Sequence, residues 1–128
     1  MNETTPLARK LQLKPGSRLW IRPDDAAAEV RDTPGIEVSG VDDADVALIF
    51  ATDKRDVDSV LTEHRDALAH ARAVWIVYAK GNRTDMNRDT LWVQLAEYGW
   101  RAVSQVAYDD VLSAIRVRPL KDGEASPV

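Results

Sequence analysis

Five cationic side chains, Arg22, Lys54, Lys80, Arg83 and Arg88, stand in segments that follow apolar runs or lead into helix-like stretches. Gathered at one rim, they would form a mouth for a small anionic ligand. Asp24, Thr52, Asp53, Tyr78 and Asp85 occupy the same segments and complete the candidate ligand-binding set. Lys80 with Asp85 is the pair closest to chemistry, since a lysine whose pKa is lowered by burial can pass on a proton. The plainer alternative is an ion pair that pins a loop, with Asp85 favouring the positive end of the next helix. That alternative is the stronger one, because loops are polar wherever they meet water.

Other chemistries find less support. The chain has no cysteine, which removes disulfides, thiolate catalysis and cysteine metal sites together. His64 falls in the middle of an apolar helical stripe, where a hydrogen-bonded histidine at the edge of a core is expected. His70 is spaced to point elsewhere on the helix, so no paired-histidine metal site follows, and the carboxylates show no ligand spacing. Ser17 and Ser39 adjoin glycine but lie in no nucleophile-elbow motif. No catalytic residue is singled out and no cofactor is assigned. Trp92, at the flank of its helix's apolar stripe, and Trp100, just past that helix's end, are candidates for an apolar partner surface, while Trp20 and Trp75 belong to strand-like core runs.

With 128 residues, 45% hydrophobic and 30% charged, the chain fits a single domain with one real core. A net charge of −4 with mixed signs argues against nucleic acid as a partner, since such binders carry a basic stripe. No apolar run approaches the ~20 residues of a membrane span. Residues 1–5 lack the basic and apolar regions of a secretory signal. A cytoplasmic location is the expectation.

The elements that must position these side chains follow from patterning. Thr5-Pro6 reads as a helix start, carried by Leu7 and Leu11 and stopped at Lys14-Pro15-Gly16. Leu19-Trp20-Ile21 is an apolar run suited to a strand covered on both faces. Asp24 then caps a short helix over about 25–32, and Ile36-Glu37-Val38 is a brief strand. Val46–Phe50 is the clearest buried strand. Beyond Asp53 a strong helix is expected to about Ala71, with Val57, Val60, Leu61, His64, Leu68 and Ala71 on one face. Val74–Tyr78 is a second buried strand. A polar loop leads to a helix over about 88–98, striped by Leu91, Leu95 and Tyr98 and stopped at Gly99. Ala102–Ala107 and Leu112–Arg118 are joined so tightly by Tyr108-Asp109-Asp110 that they should form an antiparallel hairpin. Residues 119–128 read as a disordered tail, leaving a single domain over 5–118.

Alternating strands and helices imply a mainly parallel sheet with right-handed crossovers. The expected architecture is a three-layer Rossmann-like α/β fold. Its six strands take the order 2-1-3-4-6-5, ending in an antiparallel hairpin strand.

This order resembles the class I methyltransferase core. More narrowly, the chain resembles a family of short Rossmann-like proteins found mainly in actinobacteria. The resemblance rests on Thr5–Ala8 to Leu13–Gly16, on Ala44–Phe50, on Ala73–Lys80 and on Thr84–Asp89. It implies the fold and supplies no settled activity. A working methyltransferase of this kind has a glycine-rich turn after its first strand and an acid at the end of its second. Here the turn is Arg22-Pro23-Asp24-Asp25-Ala26-Ala27 and the second strand ends at Val38-Ser39-Gly40. Asp42 or Asp43 would have to substitute for the acid. S-adenosylmethionine is therefore not expected to bind with useful affinity.

The leading expectation is a non-catalytic Rossmann-like binding or interaction domain, self-associating as a homodimer through the fifth strand. The rival is an atypical methyltransferase-like enzyme that binds a small molecule or nucleotide cofactor. A third reading is an anion- or nucleotide-sensing domain using the cationic rim.

Overall fold

A computed structural model describes residues 11, 13, 16–22, 35–79, 88–120 and 123, with the backbone alone for Arg88 and Asp89. The expected N-terminal helix (apart from Leu11 and Leu13), the helix over 25–32 and the loop 80–87 lie outside the described residues, as does most of the segment after 120. The described chain runs β1 (Arg18–Arg22), β2 (Glu37–Val38), a 3-10 turn (Val41–Asp43), β3 (Val46–Phe50), α1 (Lys54–Leu68), β4 (Ala73–Ala79), α2 (Arg88–Glu97), β5 (Trp100–Ala107) and β6 (Leu112–Pro119).

The strands form one six-stranded sheet in the order β2-β1-β3-β4-β6-β5, as the sequence implies. β2, β1, β3 and β4 pair in parallel. β6 inserts antiparallel between β4 and β5. The apolar runs of β3 and β4 are continuous because both faces of the sheet are covered. One face carries Ala47, Ile49, Val74, Ile76 and Ile115, packed against Val57, Val60, Leu61 and Leu68 of α1 and Leu91 and Leu95 of α2. The other carries Leu19, Ile21, Val46, Leu48, Trp75 and Val77, with Leu11 and Leu13 packed against them. Trp75 belongs to this second face, and its indole N–H donates to the carbonyl of Leu11 at 3.0 Å.

The elements depart from the sequence expectation mainly at their ends. β5 begins at Trp100 because β6 continues to Pro119 and offers it a partner. The N–H of Leu120 then donates to Gly99 O at 2.8 Å, so ordered pairing continues into the segment read as a tail. Gly99 takes φ +74°, a left-handed conformation that suits glycine and ends α2. Asp109 closes the hairpin: its Oδ1 accepts from the N–H of Val111 and of Leu112 at 2.8 and 2.7 Å. A register shift between Ala102 and Ser104 marks a bulge in β5.

β2 is shorter than the alternating run suggests and pairs only with the beginning of β1, Glu37 with Arg18 and Val38 with Leu19. The chain then turns back at that level. Ser39 N–H donates to Leu19 O and Asp45 N–H to Arg18 O, each at 2.8 Å.

Candidate functional site

The chain leaves β1 toward β2 on one side and returns to β3 on the other. Such a reversal, at the carboxyl ends of β1 and β3, is where open α/β sheets take their ligands. Arg22 ends β1, level with Ile49 of β3. Its side chain is 39% exposed and runs along α1, with Nη1 3.7 Å from Glu63 Oε2. Nη1 also lies 3.4 Å from His64 Nε2. The same Nε2 lies 3.5 Å from Glu63 Oε2, so the imidazole sits between a guanidinium and a carboxylate. Trp20 meets the same imidazole edge-on, with centroids 5.1 Å apart. His64 is thus a hydrogen-bonded histidine at the edge of the core, as its position in the helical stripe suggests.

The start of α1 follows the carboxyl end of β3. Asp53 is its N-cap, accepting from Asp56 N–H at 3.2 Å. Asp56 Oδ2 in turn accepts from the N–H and the hydroxyl of Thr52, both at 2.7 Å. The Thr52 N–H and then its hydroxyl hold the Asp56 carboxyl below its ordinary value; partial burial opposes them, and Asp53 and the Arg22 charge add to them. The first turn of α1 is therefore met by the chain's own carboxylates.

Lys54 lies at the head of a cleft of about 420 Å³ between α1 and α2, lined also by Asp58, Thr90, Val93, Gln94 and Glu97. Gln94 is 7% exposed. Its Nε2 donates to Lys54 O at 2.9 Å and to Asp58 Oδ1 at 2.8 Å, which fixes the amide orientation. Tyr98 donates its hydroxyl to the same Asp58 oxygen at 2.8 Å. A bond with Thr62 pulls the Tyr98 phenol down, but burial and the Asp58 and Glu97 carboxylates together leave it above its usual value.

Tyr78 does not face the rim. It is 5% exposed, and its hydroxyl accepts from Gln105 Nε2 at 3.1 Å. Asp24, Lys80, Arg83 and Asp85 lie outside the described residues, and of Arg88 only its place at the start of α2 is described. The structure thus brings Arg22, Thr52 and Asp53 to the same end of the sheet and carries Lys54 to the cleft between the helices. Trp100 corrects an expectation: at 3% exposure it belongs to the core and offers no partner surface. Trp92 is partly buried against that core. Among the described residues, no group of three or more histidines or acids could hold a metal, and no helix is long and apolar enough to cross a membrane.

The carboxylates suggested for a cofactor ribose are also placed elsewhere. The 3-10 turn that carries Asp42 and Asp43 is anchored at both ends beside Arg18 and Leu19, at the beginning of β1. Neither stands at the Arg22 rim. The described residues do not fit S-adenosylmethionine in the manner the methyltransferase resemblance implies.

Sequence reasoning missed Asp56, Glu63 and the Asp58–Gln94–Tyr98 group. Asp56 had a readable signal, since an acid three residues after an N-cap aspartate follows capping-box spacing. The others join residues far apart in the chain and have no local signature.

No known family model matches the chain, and no curated protein matches it. Solved structures do. A protein of the NADB-Rossmann superfamily from Streptococcus agalactiae aligns with TM-score 0.54 and 14% identity, over 93% of this chain and 71% of that one. A Streptococcus pneumoniae protein described as a "putative tRNA (m1A22) methyltransferase" aligns with TM-score 0.51 and 13% identity, over 91% of this chain. The chain spans only 60% of that protein's length. An uncharacterized protein from Listeria monocytogenes aligns with TM-score 0.52 and 11% identity, over 98% and 72% of the two chains. The fold is Rossmann-like and methyltransferase-like.

Proposed function

We propose that the chain is a methyltransferase-like Rossmann domain that binds a nucleotide-type small molecule in the crevice between β1 and β3. The observation that carries this reading is the reversal of strand order at β1, with the partly exposed Arg22 guanidinium at its mouth. Such a crevice is where this architecture takes ligands, and a cation there suits a phosphate or carboxylate. The likeness to a described methyltransferase supports the same reading at the level of fold. The ligand is held by contacts of this chain's own, because β2 stops at Val38, level with Leu19, and brings no carboxylate to the rim.

A second reading is a non-catalytic interaction domain. One observation favours it: Thr52, Asp53 and Asp56 satisfy one another, and Arg22 already meets Glu63 and His64. A thermal-shift panel of nucleotides, S-adenosylmethionine, its demethylated product and simple anions separates the two. A rise in Tm that grows with ligand concentration and is lost in Arg22→Ala supports the first reading. A flat response across the panel overturns it in favour of the second.

A further inference from the structure

The two edges of the sheet differ in kind. β2 is two residues long and carries Glu37. Short, charged edges resist pairing with other chains. β5 is eight residues long, and no charge occurs from Ala102 to Tyr108. It pairs with β6 along one side and, among the described residues, has no strand on the other. Ser104, Gln105 and Ala107 are exposed. A groove of about 260 Å³ follows this edge, between Trp92 and Val103, Ser104 and Gln105.

We propose that the open edge of β5 pairs with β5 of a second copy of this chain, joining two sheets across a twofold axis. Symmetry makes the pairing antiparallel, since a twofold axis normal to the sheet reverses strand direction. With Gln105 opposite Gln105 of the second copy, Ser104 faces Val106. The stretch Ala102–Tyr108 carries no charge, so no like charges face each other within the junction. A parallel pairing would set Arg101 against its own copy. The bulge between Ala102 and Ser104 leaves Ser104–Ala107 as the regular stretch that pairs. The same axis keeps α1 and α2 of both copies on one side, so the two Trp92 grooves meet across the junction.

Sedimentation from low to high micromolar protein tests this. The wild type should pass from one chain mass to two. Ser104→Lys and Ser104→Glu each set like charges beside the axis, and should raise the concentration of half-association by about tenfold or more. Because Ser104 is exposed, the Tm of the dilute monomer should not change. An equal mixture of the two variants should associate again. A monomer mass throughout, a dimer indifferent to both substitutions, or a mixture that stays monomeric would overturn the proposal.

Discussion

Val38 pairs with Leu19 and β2 ends there, while β1 runs on to Arg22 beside Ile49. The second strand therefore stops below the rim at which a Rossmann-like sheet holds a ribose. S-adenosylmethionine should bind more weakly than about 100 μM, a free energy of roughly −5.5 kcal/mol. The missing charged partner alone costs about 1.5–3 kcal/mol. Saturable binding in calorimetry below that concentration would show that another group reaches the ribose.

Trp75 is 1% exposed and gives its only N–H to Leu11 O. Trp75→Phe keeps an aromatic ring but leaves that carbonyl with a partner fewer and opens a small void. The expected loss is about 2–4 kcal/mol of unfolding free energy, read from urea denaturation. A loss under about 0.5 kcal/mol would mean that the Leu11 segment does not stay on the sheet in solution.

The start of α1 gives a prediction with a pH sign. Asp53→Ala removes the N-cap acceptor and should cost about 1 kcal/mol. Asp56 has its folded pKa lowered by Thr52, so its contribution is complete above the unfolded value of about 3.9. It is lost as pH falls through the lower, folded value. The stability gap between wild type and Asp56→Asn should therefore be steady near neutral pH and close below about pH 4. A gap that persists at pH 2 would place its origin in packing instead.

Gln94→Glu tests the cleft between the helices. The change is nearly isosteric, but it sets a carboxylate against Lys54 O and Asp58 Oδ1, which now accept from Nε2 at 2.9 and 2.8 Å. The new acid should have a raised folded pKa, so the penalty grows as pH rises through that value and shrinks in acid. At neutral pH the loss should reach about 3 kcal/mol or more, as for an uncompensated buried charge. Gln94→Leu should cost less, and its cost should not follow pH in this way. Equal pH profiles for the two variants would refute the assignment.

The sequence by itself determined the order and type of the described elements. Val46–Phe50 and Ala73–Ala79 are apolar without alternation because both faces of a central parallel strand are covered, and that pattern is local. The stripe of Val57, Val60, Leu61 and Leu68 fixed the buried face of α1, and the four-residue link Tyr108–Val111 allowed only a hairpin. Tertiary structure alone decided the level at which β2 stops, because register depends on hydrogen bonds from Ser39 and Asp45 to the distant β1. It also decided that Trp100 is buried, since β6 extends to Pro119 and pairs with it. It turned Arg22 toward Glu63 and His64, and tied Gln94 to Asp58 across 36 positions of chain. Each of these depends on a distance between elements, which no spacing within one element encodes.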